Sequence, residues 1–302
     1  MRLPCSARTA SPLAFSGFGL YRSSPKGSNP VSSTRGSGLR VEANGLVFLT
    51  GAMVMCIFGC GLYCGYYGCM NPHTSISNLV DDLSTARAHA TALAWPPDQP
   101  PDLPTAYAAA LGMRAARIQA GEVPAGYKVG FTNRSIWPIY QVYQPIWGTV
   151  WRSTLHQVPD GEPNEGVLSL DGLCEPRIEP ELVFCLRASP PAGCDLAGLV
   201  PSIDWMAHGF EIVHTHFPGW KFSAAQAVAD AGLHGLLLVG HRVKLAAGTD
   251  PQALAAALAG VRLKLYGNQV LKDQGVGANV LDGPLQPGLS ECCQRLRQII
   301  FG

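Results

Sequence analysis

The chain has 302 residues, a formal net charge of +1 and only 14% charged residues, which argues against nucleic acid or an acidic partner. Its apolar content of 47% is sufficient for one large domain or two modest ones with a sizeable core. The 34 glycines and 24 prolines indicate many turns and a body rich in strands and loops.

Ten cysteines are present, and four of them lie within residues 56–69. The others lack the paired spacing of metal ligands. Cys292 and Cys293 are adjacent, which suits neither a zinc site nor an ordinary disulfide. We therefore expect reduced, structural cysteines in a reducing compartment.

Residues 1–44 form a leader that is rich in Ser, Gly and Pro, with six basic residues and one acid, Glu42. An Arg- and Ser-rich, acid-poor leader is typical of an organellar transit peptide. The alternatives are a disordered tail or sequence from an upstream gene-model error. We expect this leader to be disordered or cleaved.

Residues 45–70 contain no charged side chain and are long enough to span a bilayer as a helix. Basic residues of the leader would then stay on the cytoplasmic or stromal side. The glycine content leaves a buried hairpin open as an alternative. A third alternative is that the segment is absent from the mature protein.

From about residue 74 the pattern becomes that of a globular domain, which we take as 74–302. Apolar spacing predicts helices over 75–93 and 105–121. Short strand-like runs separated by turn residues follow, and further helices are predicted at 251–260 and 288–300.

Lys128 lies in the strand-like run "GYKVGFT". A lysine that faces inward from a strand is costly unless it is paired, and such lysines serve as acid–base groups or as anchors for a carboxylate. The alternative is a lysine on a solvated strand face.

Two glutamates lie two positions apart in the apolar run "EPRIEPELVF", namely Glu179 and Glu181. On a strand they project from the same side, and two adjacent anions repel each other unless a cation or a proton lies between them. A wet face on an edge strand is the alternative.

A third carboxylate, Glu211, lies in "GFEIVHTHFPGWKF", where His214 and His216 follow it. Three carboxylates suit Mg²⁺ or Mn²⁺, with water or substrate completing the coordination. Zinc would prefer histidines or cysteines, which lack a tight ligand spacing here.

Six motifs occur in one order along the chain: "GYKVGFT", "PIWGTVW", "EPRIEPELVF", "GFEIVHTHFPGWKF", "VADAGLHGLLLVG" and "GVGANVLDGPL". Together they resemble the 2-keto-4-pentenoate hydratase branch of the fumarylacetoacetate hydrolase superfamily. The resemblance covers about residues 76 to 290, and the ordered set is far more specific than any single motif.

The resemblance implies an α+β fold, a mixed β-sheet roll with flanking helices. The family usually continues past "VLDGPL" through further strands, so we expect a C-terminally shortened version. The resemblance also implies Mg²⁺ or Mn²⁺ held by Glu179, Glu181 and Glu211, with Lys128 as the family lysine.

The implied activity is a metal-dependent hydratase of aromatic compound catabolism. It adds water to a 2-hydroxy-2,4-dienoate to give a 4-hydroxy-2-oxo acid. Lys128 would hold the substrate carboxylate or shuttle a proton, and His214 or His234 would activate water. We expect a small 2-oxo acid as substrate, a homo-oligomer and a cytoplasmic catalytic domain. An organelle-targeted or membrane-anchored protein is the alternative.

The chain departs from the family at three places. Arg152 lies where an acid is expected, "HTH" replaces an Asp-Ser pair, and "VADAGLHG", with Asp230 and His234, replaces A-D-N. These departures leave the substrate open, so a 2-oxo acid decarboxylase or an acylpyruvate C–C hydrolase is an alternative. A catalytically dead, membrane-anchored binding protein, or a truncated copy, is the alternative of another class.

Overall fold

The structure is a computed structural model, and it describes residues 4–9, 40–42, 47–48, 54–59, 74–93, 101–191, 193–268 and 270–285. The helix predicted at 288–300 and most of residues 1–73 lie outside the described residues.

The strands are β1 (Pro4–Thr9), β2 (Arg40–Glu42), β3 (Val47–Phe48), β4 (Val54–Gly59), β5 (Pro124–Gly130), β6 (Ile146–Trp151), β7 (Leu155–Gln157), β8 (Glu165–Val167), β9 (Arg177–Leu186), β10 (Ile203–Val213), β11 (His234–Lys244), β12 (Arg262–Gly267) and β13 (Val270–Val276). The helices are α1 (Thr74–His89), α2 (Leu103–Gln119), α3 (Trp137–Tyr140), α4 (Leu196–Leu199), α5 (Ala224–Ala229) and α6 (Pro251–Gly260).

The strands form two mixed sheets. The larger has the order β6-β5-β4-β9-β10-β11-β7, with β3 also paired to β9, and the smaller has the order β13-β12-β1-β2-β8. Helices α1, α2 and α5 share one apolar cluster with the end of β10, and α6 packs on the main core. The predicted α+β fold with flanking helices is confirmed.

The helices at 75–93, 105–121 and 251–260 are found close to their predicted bounds, as α1, α2 and α6. Local chemistry explains where two of them begin. The Asp102 carboxylate accepts a hydrogen bond from the Thr105 amide at 2.8 Å, and Asp250 caps α6 in the same way. A proline follows each cap within the first turn, where its missing N–H removes no helical bond.

Strand β9 has a core-facing apolar side, and its opposite side carries the two glutamates. Ile178, Leu182 and Phe184 alternate along it and are buried in the main core. Glu179 and Glu181 occupy the intervening positions and therefore project to the opposite side. The apolar face fixes the strand in the core, and the carboxylates are held rigidly on the other face.

A transmembrane helix is one prediction for residues 45–70. The described part of this segment contains strands instead. Strand β4 lies between β5 and β9, paired antiparallel to the first and parallel to the second. A strand in a sheet that is covered on both faces is a continuous apolar run, and such a run resembles a membrane helix in sequence. In the part of the chain that the structure describes, no helix is long and apolar enough to cross a membrane.

The predicted disordered leader also differs from the structure at two short stretches. Strand β1 pairs with β12 and β2, and β2 pairs with β8, so residues 4–9 and 40–42 belong to the smaller sheet. Cleavage of the leader stays a prediction.

Candidate active site

Three buried carboxylates meet where β9 and β10 lie side by side. The antiparallel register places Glu179 directly opposite Glu211, and Glu181 opposite Gly209. Directly opposed residues share a face of the sheet, as do residues two apart on one strand. Each glutamate therefore offers an oxygen to one point, and the three ligand atoms lie within 4.8 Å of one another.

Lys128 reaches this cluster from β5 and is buried. Its Nζ lies 3.0 Å from Glu211 Oε2 and donates a hydrogen bond to the carbonyl oxygen of Gly232 at 2.9 Å. Burial lowers the pKa of the Lys128 ammonium, but the three glutamates outweigh burial and raise it to about 12. Lys128 is therefore a fixed positive charge at neutral pH.

Gly148 in β6 allows the loop at residues 231–232, whose carbonyl oxygen accepts the hydrogen bond from Lys128, to approach the sheet. A Cβ at Gly148 would lie 2.4 Å from the carbonyl oxygen of Ala231, which no side chain could tolerate. The loop therefore rests directly on the backbone of Gly148, and this contact places the Gly232 carbonyl within reach of Lys128.

Glu211 is bound on both of its oxygens. His234 Nδ1 lies 2.7 Å from Oε1, while Lys128 contacts Oε2. Burial raises the pKa of Glu211, but Lys128 and His234 outweigh burial and lower it. Burial lowers the pKa of His234, so its ring is neutral at physiological pH and its Nδ1 carries the proton that Glu211 accepts.

The charges of the cluster do not balance. Lys128 supplies one positive charge against three carboxylates, and burial raises the pKa of Glu179 to about 7 despite the attraction of Lys128. A hard divalent cation would relieve this repulsion, and carboxylate oxygens are the ligands that Mg²⁺ and Mn²⁺ prefer. The donor set thus fits the kind of ion that the sequence predicts.

A cavity of about 200 Å³ opens on Lys128 and Glu179. Aromatic side chains form much of its wall: Phe131, Tyr140, Trp220 and Phe222. Arg177 adds a second cationic group to the lining, and its guanidinium carbon lies 3.9 Å from the centre of the Trp220 ring. The cavity is therefore suited to a small anionic molecule with an apolar or conjugated body.

Three residues that line the cavity have left-handed backbone conformations although none is glycine. Their φ angles are 54° at Phe131, 59° at Trp220 and 65° at Leu233. Such conformations are costly for bulky side chains and concentrate at functional sites. The surrounding contacts therefore impose the shape of this wall.

A second buried polar cluster lies beside the first. Arg87 of α1 contacts the Asp230 carboxylate through Nε at 3.2 Å and His214 Nε2 through Nη1 at 3.0 Å. His216 Nδ1 lies 2.9 Å from the same carboxylate. Burial raises the pKa of Asp230, but Arg87 and His216 outweigh burial and lower it. Burial, with the charge of Arg87, lowers the pKa of His214 to about 2.

The structure thus brings together four of the six predicted site residues, namely Glu179, Glu181, Glu211 and Lys128. His234 joins them through Glu211, whereas His214 lies in the Arg87 cluster. Neither histidine is among the described residues that line the cavity.

Three residues of the two clusters and the cavity were not predicted from the sequence: Arg87, Thr154 and Arg177. Arg177 had a local signal, because it precedes the two glutamates by one strand repeat. Arg87 is 127 residues from His214, and Thr154 is 80 residues from His234, so no local pattern could have paired them.

The comparisons with known proteins agree with this geometry, although no family model matches the chain. The chain is 29% identical over 182 residues to a 2-hydroxyhexa-2,4-dienoate hydratase of Comamonas testosteroni, covering 60% of this chain and 65% of the relative. It is 26% identical over 181 residues to a 4-oxalocrotonate decarboxylase of Pseudomonas putida, covering 60% and 64%. The chain thus spans just under two thirds of the length of these two curated relatives.

A solved structure shares the fold. This is the 4-oxalocrotonate decarboxylase of Pseudomonas putida G7 complexed with magnesium and adipate. Its TM-score is 0.64 at 19% identity, over 76% of this chain and 83% of that one. The predicted resemblance is confirmed: the chain is related to the 2-hydroxydienoate hydratases and 4-oxalocrotonate decarboxylases, and it has their fold.

Proposed function

We propose that the chain binds Mg²⁺ or Mn²⁺ through Glu179, Glu181 and Glu211 and hydrates a 2-hydroxy-2,4-dienoate. The observation that carries this proposal is the set of three buried carboxylates, within 4.8 Å of one another, beside a cavity that reaches Lys128. The hydratase relative supports the choice of reaction, and the magnesium in the related decarboxylase structure supports the choice of metal.

The reaction has two parts whose atoms balance. The dienol first becomes a conjugated 2-oxo-3-enoate as its hydroxyl loses a proton and C5 gains one. Water then adds across the remaining double bond, with its hydroxyl at C4 and its proton at C3. The bound cation supplies Lewis-acid stabilisation of negative charge on the substrate oxygens.

Lys128 is suited to act as a fixed cation rather than as a base. Its pKa is raised to about 12, so the ammonium persists at neutral pH. It would hold the substrate carboxylate, and the role in shuttling a proton during ketonisation stays a prediction. The aromatic wall would exclude water from the conjugated chain except at the hydration step. The water-activating roles of His214 and His234, and assembly into a homo-oligomer, stay predictions.

The test follows the ultraviolet absorbance of 2-hydroxypenta-2,4-dienoate with the full chain, with Mg²⁺ and with chelator. We expect loss of absorbance with Mg²⁺ and none with chelator or with E179A/E181A. Loss of one outer-shell partner typically lowers metal affinity or activity by about 10- to 100-fold. Loss of two direct ligands should therefore lower the activity by more than about 100-fold. E162A, which removes an exposed carboxylate, is the matched control.

Two outcomes would contradict the proposal in different ways. Failure of the parent to bind Mg²⁺ by calorimetry would remove the metal site. Metal binding without turnover of the dienoate would point to another substrate or to a non-catalytic binding protein.

Decarboxylation of a 2-oxo diacid is the second candidate, and Arg177 is the observation that favours it. A second cation in the cavity lining would pair with the distal carboxylate of a diacid. Release of CO₂ from a 2-oxohexenedioate by the parent, reduced in R177Q with little change for the dienoate, would support this reading. R152Q, at an exposed arginine, is the matched control. Equal effects of R177Q on both substrates would contradict it.

A further inference from the structure

A short chain of hydrogen bonds runs from the turn after β6 to Glu211. His234 Nδ1 lies 2.7 Å from Glu211 Oε1, and His234 Nε2 lies 2.8 Å from Thr154 Oγ1. Three separate segments of the chain supply these residues: the turn at 152–154, the first residue of β11, and β10. The contacts therefore exist only in the folded protein.

The direction of each hydrogen bond follows from the chemistry of the groups. An ionised Glu211 can only accept, so His234 Nδ1 donates to it. A neutral imidazole then has its lone pair on Nε2. The single Thr154 hydroxyl proton has two acceptors in reach, the Trp151 carbonyl oxygen at 3.1 Å and His234 Nε2 at 2.8 Å, and we assign it to the nearer nitrogen. Thr154 is fixed in turn, because its Oγ1 accepts from the Trp151 amide at 3.2 Å.

The backbone of His234 is also held. Its carbonyl oxygen accepts hydrogen bonds from the Arg87 guanidinium at 3.3 and 3.4 Å. The His234 side chain is only 2% exposed. His234 is thus constrained at its backbone and at both ring nitrogens.

This arrangement removes the rotational freedom of the Glu211 carboxylate. Lys128 holds Oε2 and His234 holds Oε1, so the plane of the group is fixed. A carboxylate fixed by one partner alone could pivot about that contact and move its second oxygen away from Glu179 and Glu181.

We propose that His234 and Thr154 are positioning residues that hold Glu211 in the geometry of a metal ligand. The inference rests on the proposed metal site and adds two residues that act through Glu211. His234 is not among the carboxylates that converge on the metal position, and it is not among the described residues lining the cavity. In the positioning role it acts through Glu211, and its water-activating role stays a separate prediction.

The experiment measures Mn²⁺ affinity of the full chain by calorimetry, with the electron paramagnetic resonance spectrum of bound Mn²⁺ as a second readout. We expect H234A to weaken binding by about 10- to 100-fold, the usual effect of losing an outer-shell partner. H234N is the matched variant. The asparagine amide nitrogen is as many bonds from Cβ as histidine Nδ1, so it keeps the donor to Glu211. H234N keeps that donor but loses the Nε2 contact with Thr154, so its binding should be weakened several-fold, as in T154V, and less than in H234A.

Substitution of Thr154 provides an independent test. The residue is only partly buried, and valine preserves its volume while removing the hydroxyl. We expect T154V to weaken Mn²⁺ binding several-fold and to broaden the resonance spectrum, while T154S retains parental values. Thermal unfolding of each variant checks that it is folded.

The outcomes separate the two proposals. A parent that binds no Mn²⁺ would overturn the metal site itself. A parent that binds Mn²⁺, with parental affinity and spectrum in both H234A and T154V, would overturn the positioning role. If H234A does not fold, the T154V and T154S pair decides the matter in the same way.

Discussion

Two buried polar clusters lie side by side in this protein, and they differ in charge balance. The first contains Glu179, Glu181 and Glu211 around Lys128, so negative charge exceeds positive charge. The second pairs one carboxylate, Asp230, with one guanidinium, Arg87, and its histidine His214 is held neutral.

The difference fits the proposal that the first cluster receives a cation, whereas the charges of Asp230 and Arg87 in the second cluster already balance. Unbalanced anions in a buried site are tolerated when a ligand neutralises them, and a balanced ion pair with hydrogen bonds needs no ligand. The carboxylates of both clusters are buried, so the burial of the acidic groups alone would not have distinguished the clusters.

The largest effect that we expect on stability comes from breaking the balanced cluster. D230N would leave Arg87 buried without its partner, and losing one member of a buried ion pair costs roughly 3–5 kcal/mol. Urea unfolding of the variant and the parent measures this. D204N, which breaks the exposed pair with Arg187, is the control and should cost less than about 1 kcal/mol. Equal effects of the two variants would contradict the comparison.

The stability contributions of Glu179 in the first cluster and Asp230 in the second should depend on pH in opposite directions. Burial raises the pKa of Glu179 from its ordinary 4.5 to about 7, so its contribution to stability is full below about pH 4.5. That contribution is lost as pH rises through about 7. Asp230 has a lowered pKa, so its contribution is present above about pH 3.8 and is lost as pH falls.

Urea unfolding in chelator between pH 5 and 8 tests this contrast. We expect metal-free parent to lose about 1–3 kcal/mol across this window, at about 1.4 kcal/mol per pKa unit. E179Q should remove the slope, because its amide does not titrate. Added Mg²⁺ should also flatten it. A flat profile for the metal-free parent would show that the carboxylates are already neutralised.

The smallest effect concerns the geometry of Arg87. R87K keeps the charge near Asp230 but loses the planar group that also binds two carbonyl oxygens. We expect a loss of roughly 1–2 kcal/mol, the scale of one hydrogen bond to a charged group. Unfolding of R87K beside R187K, at the exposed pair, measures it. Parental stability of R87K would mean that charge alone holds the cluster.

The sequence by itself determined which side chains of the site share one face of a strand. The spacing of Glu179 and Glu181 in an apolar run predicted a shared face, because side chains alternate along a strand. The ordered motifs predicted the fold and the inclusion of Glu211 and Lys128 among the site residues, and the structure brings all four together.

Only the tertiary structure decided which polar residues pair and which apolar run is a strand. Arg87, Thr154 and Arg177 gain their partners from elements far away in the chain, and no local periodicity encodes such contacts. The apolar run at 54–59 is a strand paired on both of its edges, and hydropathy alone does not distinguish such a strand from a helix in lipid. Local spacing fixes the direction of a side chain, whereas packing between distant segments fixes its partner.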